Sequence, residues 1–390
     1  MPMLTKLGQK PSDDQVNAIE TIMKEDGPFF LTGIAGSGKT FVVNYLRENV
    51  PHCLVCAMTG VAAQLINAKT AHSVLGIHPV HGAYQSERVN ERIQNANMII
   101  IDEISMANQQ FIGYMMDRLD MACAAPKIVF VGDFLQLPPV EGERVFLTWK
   151  VKCIKLTTQH RQADASFLTA LNAVRSGKMT PEALATFNSR IVPALPEDCI
   201  NLHARRFDVD RQNTERLQAL PGTQSDFDWE VEKVHDRAQD KHLDSARWPR
   251  KLSLKTGARV VLLSNEPTGL WVNGSTGTVL DIRRDISVRL DRNHQIVNVS
   301  RMTEEILDED KNLMFRVDQY PMMLAWNMSI HRAQGGTFDR VGINLDNHFE
   351  KGQTYVALSR CKTLEGLFLT GTFPTHILVD QQAVQYFETA

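Results

Sequence analysis

Short apolar runs alternate with helix-like patterns through the first half of the chain. The stretch Asp13–Lys24 repeats apolar residues at the spacing of one helix face. Four apolar runs, each closed by a polar or glycine-containing turn, lie at 29–31, 53–56, 98–101 and 128–131. Buried strands separated by crossover helices are typical of βαβ units, so the pattern predicts an α/β fold with a parallel sheet.

A second set of apolar runs predicts a second α/β sheet. These runs lie at 200–204, 341–345 and 367–371, with a helical segment near 353–359 between the last two. The region in between has another pattern, because its β-rich runs are split by turns too short for crossover helices. Those runs lie at 258–263, 277–282, 286–290 and 296–299. We predict a small antiparallel barrel inserted into the second α/β domain.

Length and composition place the chain among large globular proteins. Its 390 residues exceed the usual domain size of about 100–150 residues, so more than one core is expected. Hydrophobic residues make up 43% and charged residues 22%, which excludes a disordered or fibrous chain. The net charge of -3 offers no overall attraction for a polyanion. Taken alone, this charge argues mildly against a nucleic-acid partner.

The cysteines and the apolar runs bear on the location of the protein. Six cysteines are scattered along a chain that shows no secretory leader, so we expect a reducing, cytoplasmic location. Cys53 and Cys56 have CxxC spacing, but apolar residues separate them and no second ligand pair follows, so we expect no metal there. No apolar run reaches the roughly 18 residues of a membrane helix, and we expect no membrane partner.

A glycine-rich string after the first predicted strand has the spacing of a phosphate loop. It reads Gly33-Ile-Ala-Gly-Ser-Gly38-Lys39-Thr40 and fits GxxxxGK[ST]. Its N–H groups would cradle phosphates, Lys39 would reach the β and γ oxygens, and the Thr40 hydroxyl would coordinate Mg²⁺. A turn with a surface lysine is the alternative. We predict that ATP and Mg²⁺ bind here, at Gly33, Ala35, Gly36, Ser37, Gly38, Lys39 and Thr40.

Two further predicted strands end in polar residues that suit phosphoryl transfer. Asp102 and Glu103 follow the strand at 98–101, where Asp102 would hold Mg²⁺ and Glu103 would polarise the attacking water. Gln136 follows the strand at 128–131 and would sense the γ-phosphate. Each of these could by itself be an ordinary turn residue. Together with the phosphate loop, they predict an ATP-hydrolysing site.

Two downstream arginines and one glutamine complete the predicted site. Arg161 and Arg360 are candidate arginine fingers, which would stabilise the charge that develops during hydrolysis. As isolated residues, both could be surface arginines. Gln15 has two competing roles, because its amide could close a capping box with Ser12 or contact the adenine edge.

Taken in order, these strings resemble superfamily 1 DNA helicases, and most closely the Pif1-like branch, which includes the Dda and RecD types. The similarity spans nearly the whole chain, and motifs II, V and VI are its most diagnostic parts. The motifs are the Q motif at Gln15, motif I at 33–40, motif Ia at 57–63, an element at 70–73, motif II at 100–105, motif III at 132–138, motif IV at Arg161, segments at 254–260 and 272–274, motif V at 329–335 and motif VI at 353–360.

The resemblance implies two RecA-like P-loop NTPase domains, a small SH3-like β-barrel and a short pin. The implied domains are 1–155 (1A, with the pin at 71–97), 156–253 with 316–390 (2A), and 254–315 (2B). ATP would also contact Gly335.

The same resemblance implies an ATP-dependent DNA helicase of the 5′-to-3′ class, bacterial or phage-encoded. Single-stranded DNA and single-strand/duplex junctions would be its partners. We expect a monomer, with replication or recombination proteins as candidate partners. The residues implied in DNA binding are Thr59, Gly60, His72, Asn273 and His331.

Residues outside these motifs yield further expectations about DNA. The basic positions at 247–259, interleaved with Trp248, predict a DNA-lining stretch, with a solvated loop as the alternative. Trp271 lies in a glycine-flanked turn and is expected to be exposed, whereas Trp326 is expected to pack. His331 would contact DNA or another domain rather than lie in a core. The acidic block at 304–310 is expected to face away from DNA.

Two other functions compete with the helicase. A phosphate-loop switch that acts on a protein partner would hydrolyse ATP independently of DNA. An RNA helicase would differ mainly in contacts with the 2′-hydroxyl, which no string here exposes.

Overall fold

The computed structural model describes residues 11–389 apart from short gaps. The gaps are 60, 61, 64, 65, 67, 79–81, 85, 140, 141, 148, 159–164, 237, 247, 265, 267, 269, 272–274, 292, 308–311, 335, 347 and 348. The chain forms two compact units. The first unit comprises Met1–Arg190, His348–Leu364 and Phe373–Ala390, and the second comprises Ile191–Asn347 and Glu365–Thr372.

Helices and strands alternate along much of the described chain. The helices are α1 (Asp13–Lys24), α2 (Lys39–Asn49), α3 (Ala71–Leu75), α4 (Glu87–Gln94), α5 (Gln109–Met121), α6 (Ala165–Ser176), α7 (Pro181–Asn188), α8 (Arg206–Ala219), α9 (Ile330–Ala333), α10 (Gln353–Leu358) and α11 (Gln381–Thr389). The strands of the first unit are β1 (Phe29–Gly33), β2 (Cys53–Ala57), β3 (Lys69–Thr70), β4 (Ile77–His78), β5 (Gly82–Ala83), β6 (Met98–Asp102), β7 (Lys127–Gly132) and β8 (Lys152–Leu156).

The first unit is built on a parallel sheet of six strands. The strand order is β3-β2-β6-β7-β1-β8, and every neighbouring pair is parallel. The four strands expected from the apolar runs are confirmed as β1, β2, β6 and β7. Two strands were not predicted, because β3 has only two residues and β8 carries lysines within its apolar pattern. The order places the carboxyl ends of β6, β7 and β1 side by side.

The core of the first unit lies between this sheet and the helices α1 and α2. Both helices present an apolar face, as the predicted spacing requires, and these side chains pack on alternate residues of the strands. The core includes Ile19, Ile22, Phe29, Leu31, Val42, Val43, Leu46, Ile100, Val129 and Val131. Each large aliphatic or aromatic side chain buried in this way contributes about 1.5–3 kcal/mol. The sheet edge that carries the predicted site therefore rests on a well-packed core.

The second unit is rich in β-strands, some of which form the second parallel sheet. Its strands are β9 (Ile200–His203), β10 (Ser225–Asp228), β11 (Glu230–Lys233), β12 (Lys251–Leu254), β13 (Arg259–Leu262), β14 (Thr276–Ile282), β15 (Ile286–Leu290), β16 (Ile296–Val299), β17 (Met302–Leu307), β18 (Leu313–Gln319), β19 (Met322–Leu324), β20 (Asn327–Ser329), β21 (Val341–Asn344) and β22 (Leu367–Thr370). The parallel sheet has the order β20-β9-β21-β22. The second predicted α/β sheet is thereby confirmed, with β20 as an additional strand.

The β-rich middle of the chain forms antiparallel sheets. Five strands have the order β16-β15-β14-β13-β19, and their inward side chains share one hydrophobic core. A three-stranded sheet, β11-β18-β17, and a pair, β10-β12, accompany it. The predicted strands of the insertion are thus present, while their closure into an SH3-like barrel stays a prediction.

The domain boundaries taken from the resemblance also stay predictions. The first compact unit extends to Arg190 and includes 348–364 and 373–390, which the resemblance assigns to domain 2A. Within the described residues, none of the helices combines the length and apolar character that crossing a membrane requires.

Candidate functional site

The phosphate-loop string joins β1 to α2 in the first unit. Gly36 and Gly38 have left-handed backbone angles, with φ of 84° and 82°, which favour glycine. Gly33 is required for space, because a Cβ there would lie 2.5 Å from Ser37 Oγ and 2.6 Å from the Leu156 carbonyl oxygen. The loop therefore adopts a tight strand-to-helix turn, as its glycine spacing predicts.

Lys39 is the first residue of α2, and its ammonium group folds back over the loop. Its Nζ donates to the carbonyl oxygens of Gly33 at 2.7 Å and Ile34 at 3.2 Å. Burial lowers the pKa of Lys39, and the carboxylates of Asp133 and Glu103 partly offset that shift. Among the described residues, the hydrogen-bond partners of the Lys39 ammonium are carbonyl oxygens, which phosphate oxygens can replace.

Asp102 and Glu103 lie at the carboxyl end of β6. Asp102 Oδ1 accepts a hydrogen bond from the Glu103 backbone N–H at 2.8 Å. Burial, followed by the Glu103 carboxylate, raises the pKa of Asp102 to about 7. Glu103 has a φ of 53°, a left-handed conformation that is rare outside glycine and is common at functional sites. The two carboxylates are therefore held close together, with Glu103 in an unusual backbone geometry.

Asp133 follows β7 and forms a buried ion pair that the sequence did not indicate. Arg175 of α6 donates to it twice, from Nε at 2.9 Å and from Nη2 at 2.8 Å. Burial would raise the pKa of Asp133, but the Arg175 guanidinium lowers it overall. Bidentate pairs of this kind fix geometry as well as charge. The pair fixes the start of the loop that carries Gln136.

Several buried polar atoms at this sheet edge have no hydrogen-bond partner among the described residues. They are Thr32 Oγ1, Ser37 Oγ, Ser105 Oγ and Gln136 Oε1, from the carboxyl ends of β1, β6 and β7. Buried polar groups are almost always satisfied, so orphaned atoms clustered at one sheet edge indicate a polar ligand. A nucleotide phosphate with its cation fits this donor and acceptor set.

A magnesium ion at this edge would use few protein ligands. Among the described residues, no group of three or more His, Cys, Asp and Glu side chains could hold a metal by itself. Mg²⁺ in nucleotide sites is usually held by one or two protein oxygens together with phosphates and water. Thr40, exposed in the first turn of α2, and Asp102 supply such oxygens.

Gln15 serves as a structural link in this structure. Its Oε1 accepts from the Ser12 N–H at 3.0 Å, which closes the capping box of α1. Its Nε2 donates to the Ser37 carbonyl oxygen at 3.4 Å. Of the two roles left open by the sequence, the capping box is the one seen here, and the same amide also contacts the phosphate loop.

The motif VI residues lie in the first unit. Arg360 follows α10 and is only 4% exposed. Its Nε donates to the Val356 carbonyl oxygen at 2.9 Å and its Nη2 donates to Ser359 Oγ at 2.8 Å. Arg161 and Gly335, predicted for the same ATP site, lie outside the described residues.

Two of the predicted DNA-binding residues follow adjacent strands of the first sheet. Thr59 comes two residues after Ala57 of β2, and His72 comes two residues after Thr70 of β3, while Ala57 and Thr70 are register partners. Thr59 Oγ1 accepts from the Ala62 N–H at 3.2 Å. Burial, with a smaller effect of His78, lowers the pKa of His72. Ala57 is also the register partner of Asp102 in β6. Thr59 and His72 therefore follow the same end of the sheet as Asp102.

The remaining DNA-binding predictions fall elsewhere. His331 is the second residue of α9 in the second unit and is exposed, so the alternative of a core histidine is wrong. Gly60 and Asn273 lie outside the described residues.

The tryptophans near the basic stretch are not exposed as expected. Trp248 and Trp271 are only 5% and 8% exposed, so neither offers a stacking surface. Arg259 forms a bidentate pair with Asp291, at 2.6 and 2.7 Å. Glu304 of the acidic block is buried. The positions of the basic stretch and of the acidic block relative to DNA stay predictions. The packing expected of Trp326 is confirmed.

Fold and site together define a P-loop NTPase with RecA-like α/β architecture. A family model described as an AAA domain matches residues 10–191. The ATP-dependent DNA helicase Pif1 of Bdellovibrio bacteriovorus is 33% identical over 408 residues, covering 97% of this chain and 91% of the relative. The chain belongs to the Pif1 family of DNA helicases.

Other relatives and solved structures agree with this assignment. The human helicase PIF1 is 31% identical, and the match covers 97% of this chain and 63% of the human protein. The Bacteroides Pif1 structure in complex with ADP-AlF4 has a TM-score of 0.79 at 28% identity, covering 97% and 96% of the two chains. Pif1 of Candida albicans has a TM-score of 0.80 at 26% identity, covering 98% and 99%.

Proposed function

We propose that this protein is an ATP-driven DNA helicase that moves 5′ to 3′ along single-stranded DNA and separates the duplex ahead of it. The observation that carries the proposal is the site of a Pif1-family chain in which Lys39, Asp102 and Glu103 accompany buried polar atoms that have no partner among the described residues. An ATP site alone would suit any P-loop NTPase. Membership of the Pif1 family favours the helicase over a protein-directed switch.

The residues of the site have distinct roles in ATP hydrolysis. Lys39 exchanges its carbonyl partners for phosphate oxygens. Gln136, whose Oε1 has no partner among the described residues, contacts the γ-phosphate or the attacking water. Glu103 orients that water and accepts its proton. Arg360 and Arg161 stabilise the developing negative charge. Mg²⁺, held by Thr40 and Asp102, would neutralise charge on the phosphate oxygens when bound.

We propose that Thr59, His72 and His331 contact the DNA strand. Gly60 and Asn273, which lie outside the described residues, are proposed for the same role. Support comes from relatives, since Bacteroides Pif1 has been solved bound to ssDNA and with ADP-AlF3 and ssDNA. The proximity of Thr59 to Asp102 through β2 supports coupling between the DNA and ATP sites. Non-specific strand binding of this kind combines charge with stacking.

The assembly state and location are also proposals. We propose a monomer that acts on single-strand/duplex junctions in the cytoplasm. Two coordinating Pif1 helicases unwind forked DNA in one solved relative, so a second copy at the fork is the alternative. Replication or recombination proteins remain candidate partners.

Activation of ATP hydrolysis by nucleic acid separates the helicase from its rivals. We expect single-stranded DNA to raise the kcat for ATP hydrolysis severalfold, and RNA of the same sequence to raise it less. The measurement is steady-state phosphate release with no nucleic acid, with DNA and with RNA. Unchanged hydrolysis in all three would favour the protein-directed switch, and stronger activation by RNA would favour an RNA helicase.

A further inference from the structure

Helix α10 is anchored to the loop that follows β7. Gly352, the N-cap of α10, has a φ of 79°, and a Cβ at this position would collide with the carbonyl oxygen of Gln136. The backbone of the helix start thus touches the backbone of the loop that carries Gln136. All six residues of α10 are buried, so the helix has little freedom to shift on its own.

A second anchor joins the same helix to the phosphate loop. The Tyr355 hydroxyl oxygen accepts a hydrogen bond from the Ala35 backbone N–H at 3.0 Å. Ala35 is the third residue of the loop, and Tyr355 is 2% exposed. The two residues are 320 positions apart in the chain. A backbone N–H of the phosphate loop is therefore satisfied by a side chain of motif VI.

The chemical state of this tyrosine suits a neutral link. Burial, followed by the Asp133 carboxylate, raises the pKa of Tyr355 to about 12, so the phenol keeps its proton at any physiological pH. A neutral hydroxyl can accept from Ala35 without adding negative charge where phosphates bind. Phenylalanine would preserve the ring packing and remove only this bond.

The helix also determines where Arg360 lies. The Arg360 guanidinium donates to the Val356 carbonyl oxygen, one residue after Tyr355 on the same helix. A shift of α10 would therefore carry the guanidinium with it. The chain of contacts runs from Ala35 through Tyr355 and Val356 to Arg360.

We propose that Tyr355 is a positioning residue that sets Arg360 against the phosphate loop. The inference rests on the proposed function, because it assigns to Tyr355 a role in ATP hydrolysis that acts through Arg360. The inference adds a residue to the role of Arg360, because the Tyr355 hydroxyl fixes the distance between the phosphate loop and α10. The nucleotide is still held mainly by the loop and Lys39.

The test compares Tyr355→Phe, Arg360→Ala and the double variant. We expect Tyr355→Phe to lower the kcat for DNA-stimulated ATP hydrolysis about 10-fold, the effect of one hydrogen bond, with KM for ATP changed less than threefold. Because the tyrosine acts through Arg360, the double variant should be as slow as Arg360→Ala and no slower. If the double variant is slower than Arg360→Ala by the factor that Tyr355→Phe causes alone, the two residues act independently, which would contradict the proposal.

Tyr320→Phe is the matched control. Tyr320 is 3% exposed, and its hydroxyl donates to the Arg284 carbonyl oxygen at 2.6 Å in the second unit. This variant loses a comparable buried bond, so we expect a similar thermal midpoint to Tyr355→Phe but wild-type kcat. A wild-type kcat in Tyr355→Phe would overturn the proposal. Failure of Tyr355→Phe to fold would overturn it as well. A wild-type protein without DNA-stimulated hydrolysis would instead refute the proposed function.

Discussion

Replacing Glu103 by glutamine is expected to slow ATP turnover strongly while ATP binding is retained. General-base catalysis is typically worth about 10²–10⁴ in rate, so we expect kcat to fall by about that factor. Glutamine keeps the length of the side chain and its place after β6. It also removes the charge that helps to raise the pKa of Asp102, so more Asp102 is ionised at neutral pH and cation binding is preserved.

Single-turnover hydrolysis and binding of a fluorescent ATP analogue check this prediction. Glu20→Gln is the matched control, because Glu20 lies on α1 in an exposed ion pair with Lys24 and should leave both quantities unchanged. Turnover of Glu103→Gln within threefold of wild type would remove the catalytic assignment. A loss of ATP binding would instead indicate a role in holding the nucleotide.

Arg360→Ala is expected to slow hydrolysis by about 10³ or more, the lower end of the effect of arginine fingers in other NTPases. The effect should fall on kcat, because a finger acts on charge that develops during the reaction. Arg360→Lys should restore little, since lysine cannot reproduce the two-pronged guanidinium.

Arg211→Ala provides the control for the loss of an arginine. Arg211 is exposed on α8 and pairs with Glu215, so we expect wild-type kcat. The thermal midpoint of Arg360→Ala should be measured as well, because Arg360 bonds to its own helix. An increase in KM with unchanged kcat would contradict the role of a finger.

The sequence predicted well what depends on local spacing. Glycines at fixed positions before Lys39 predict a turn and a helix almost independently of the rest of the chain. In the same way, the apolar run that ends at Asp102 and Glu103 predicts a strand. The parallel sheet of the first unit was predicted for the same reason. Strands β3 and β8 were not predicted. β3 has only two residues, and the lysines of β8 interrupt its apolar pattern.

Contacts between distant segments could not be predicted. Arg175 belongs to no recognisable string, and its pairing with Asp133 depends on how α6 packs. Tyr355 is part of motif VI, but its bond to Ala35 depends on the placement of α10. Trp271 was expected to be exposed because of its glycine neighbours, yet the core of the second unit encloses it.

The surroundings of charged residues likewise depend on contacts between distant segments. Arg259 contributes to a basic stretch in the sequence, but in three dimensions Asp291 neutralises it. Lys255 donates to the carbonyl oxygens of Gln218 at 3.2 Å and Leu220 at 2.8 Å. A basic cluster therefore identifies a DNA surface only after its ion pairs are known.

Strand separation on tailed duplexes tests the central claim most directly. Two DNA substrates share one duplex and differ only in carrying a 5′ or a 3′ single-stranded tail. With ATP, the wild-type protein is expected to unwind the 5′-tailed substrate and to leave the 3′-tailed one intact, while Glu103→Gln unwinds neither. Preferential unwinding of the 3′-tailed substrate would contradict the account. So would a wild-type protein that unwinds neither substrate although DNA stimulates its ATP hydrolysis.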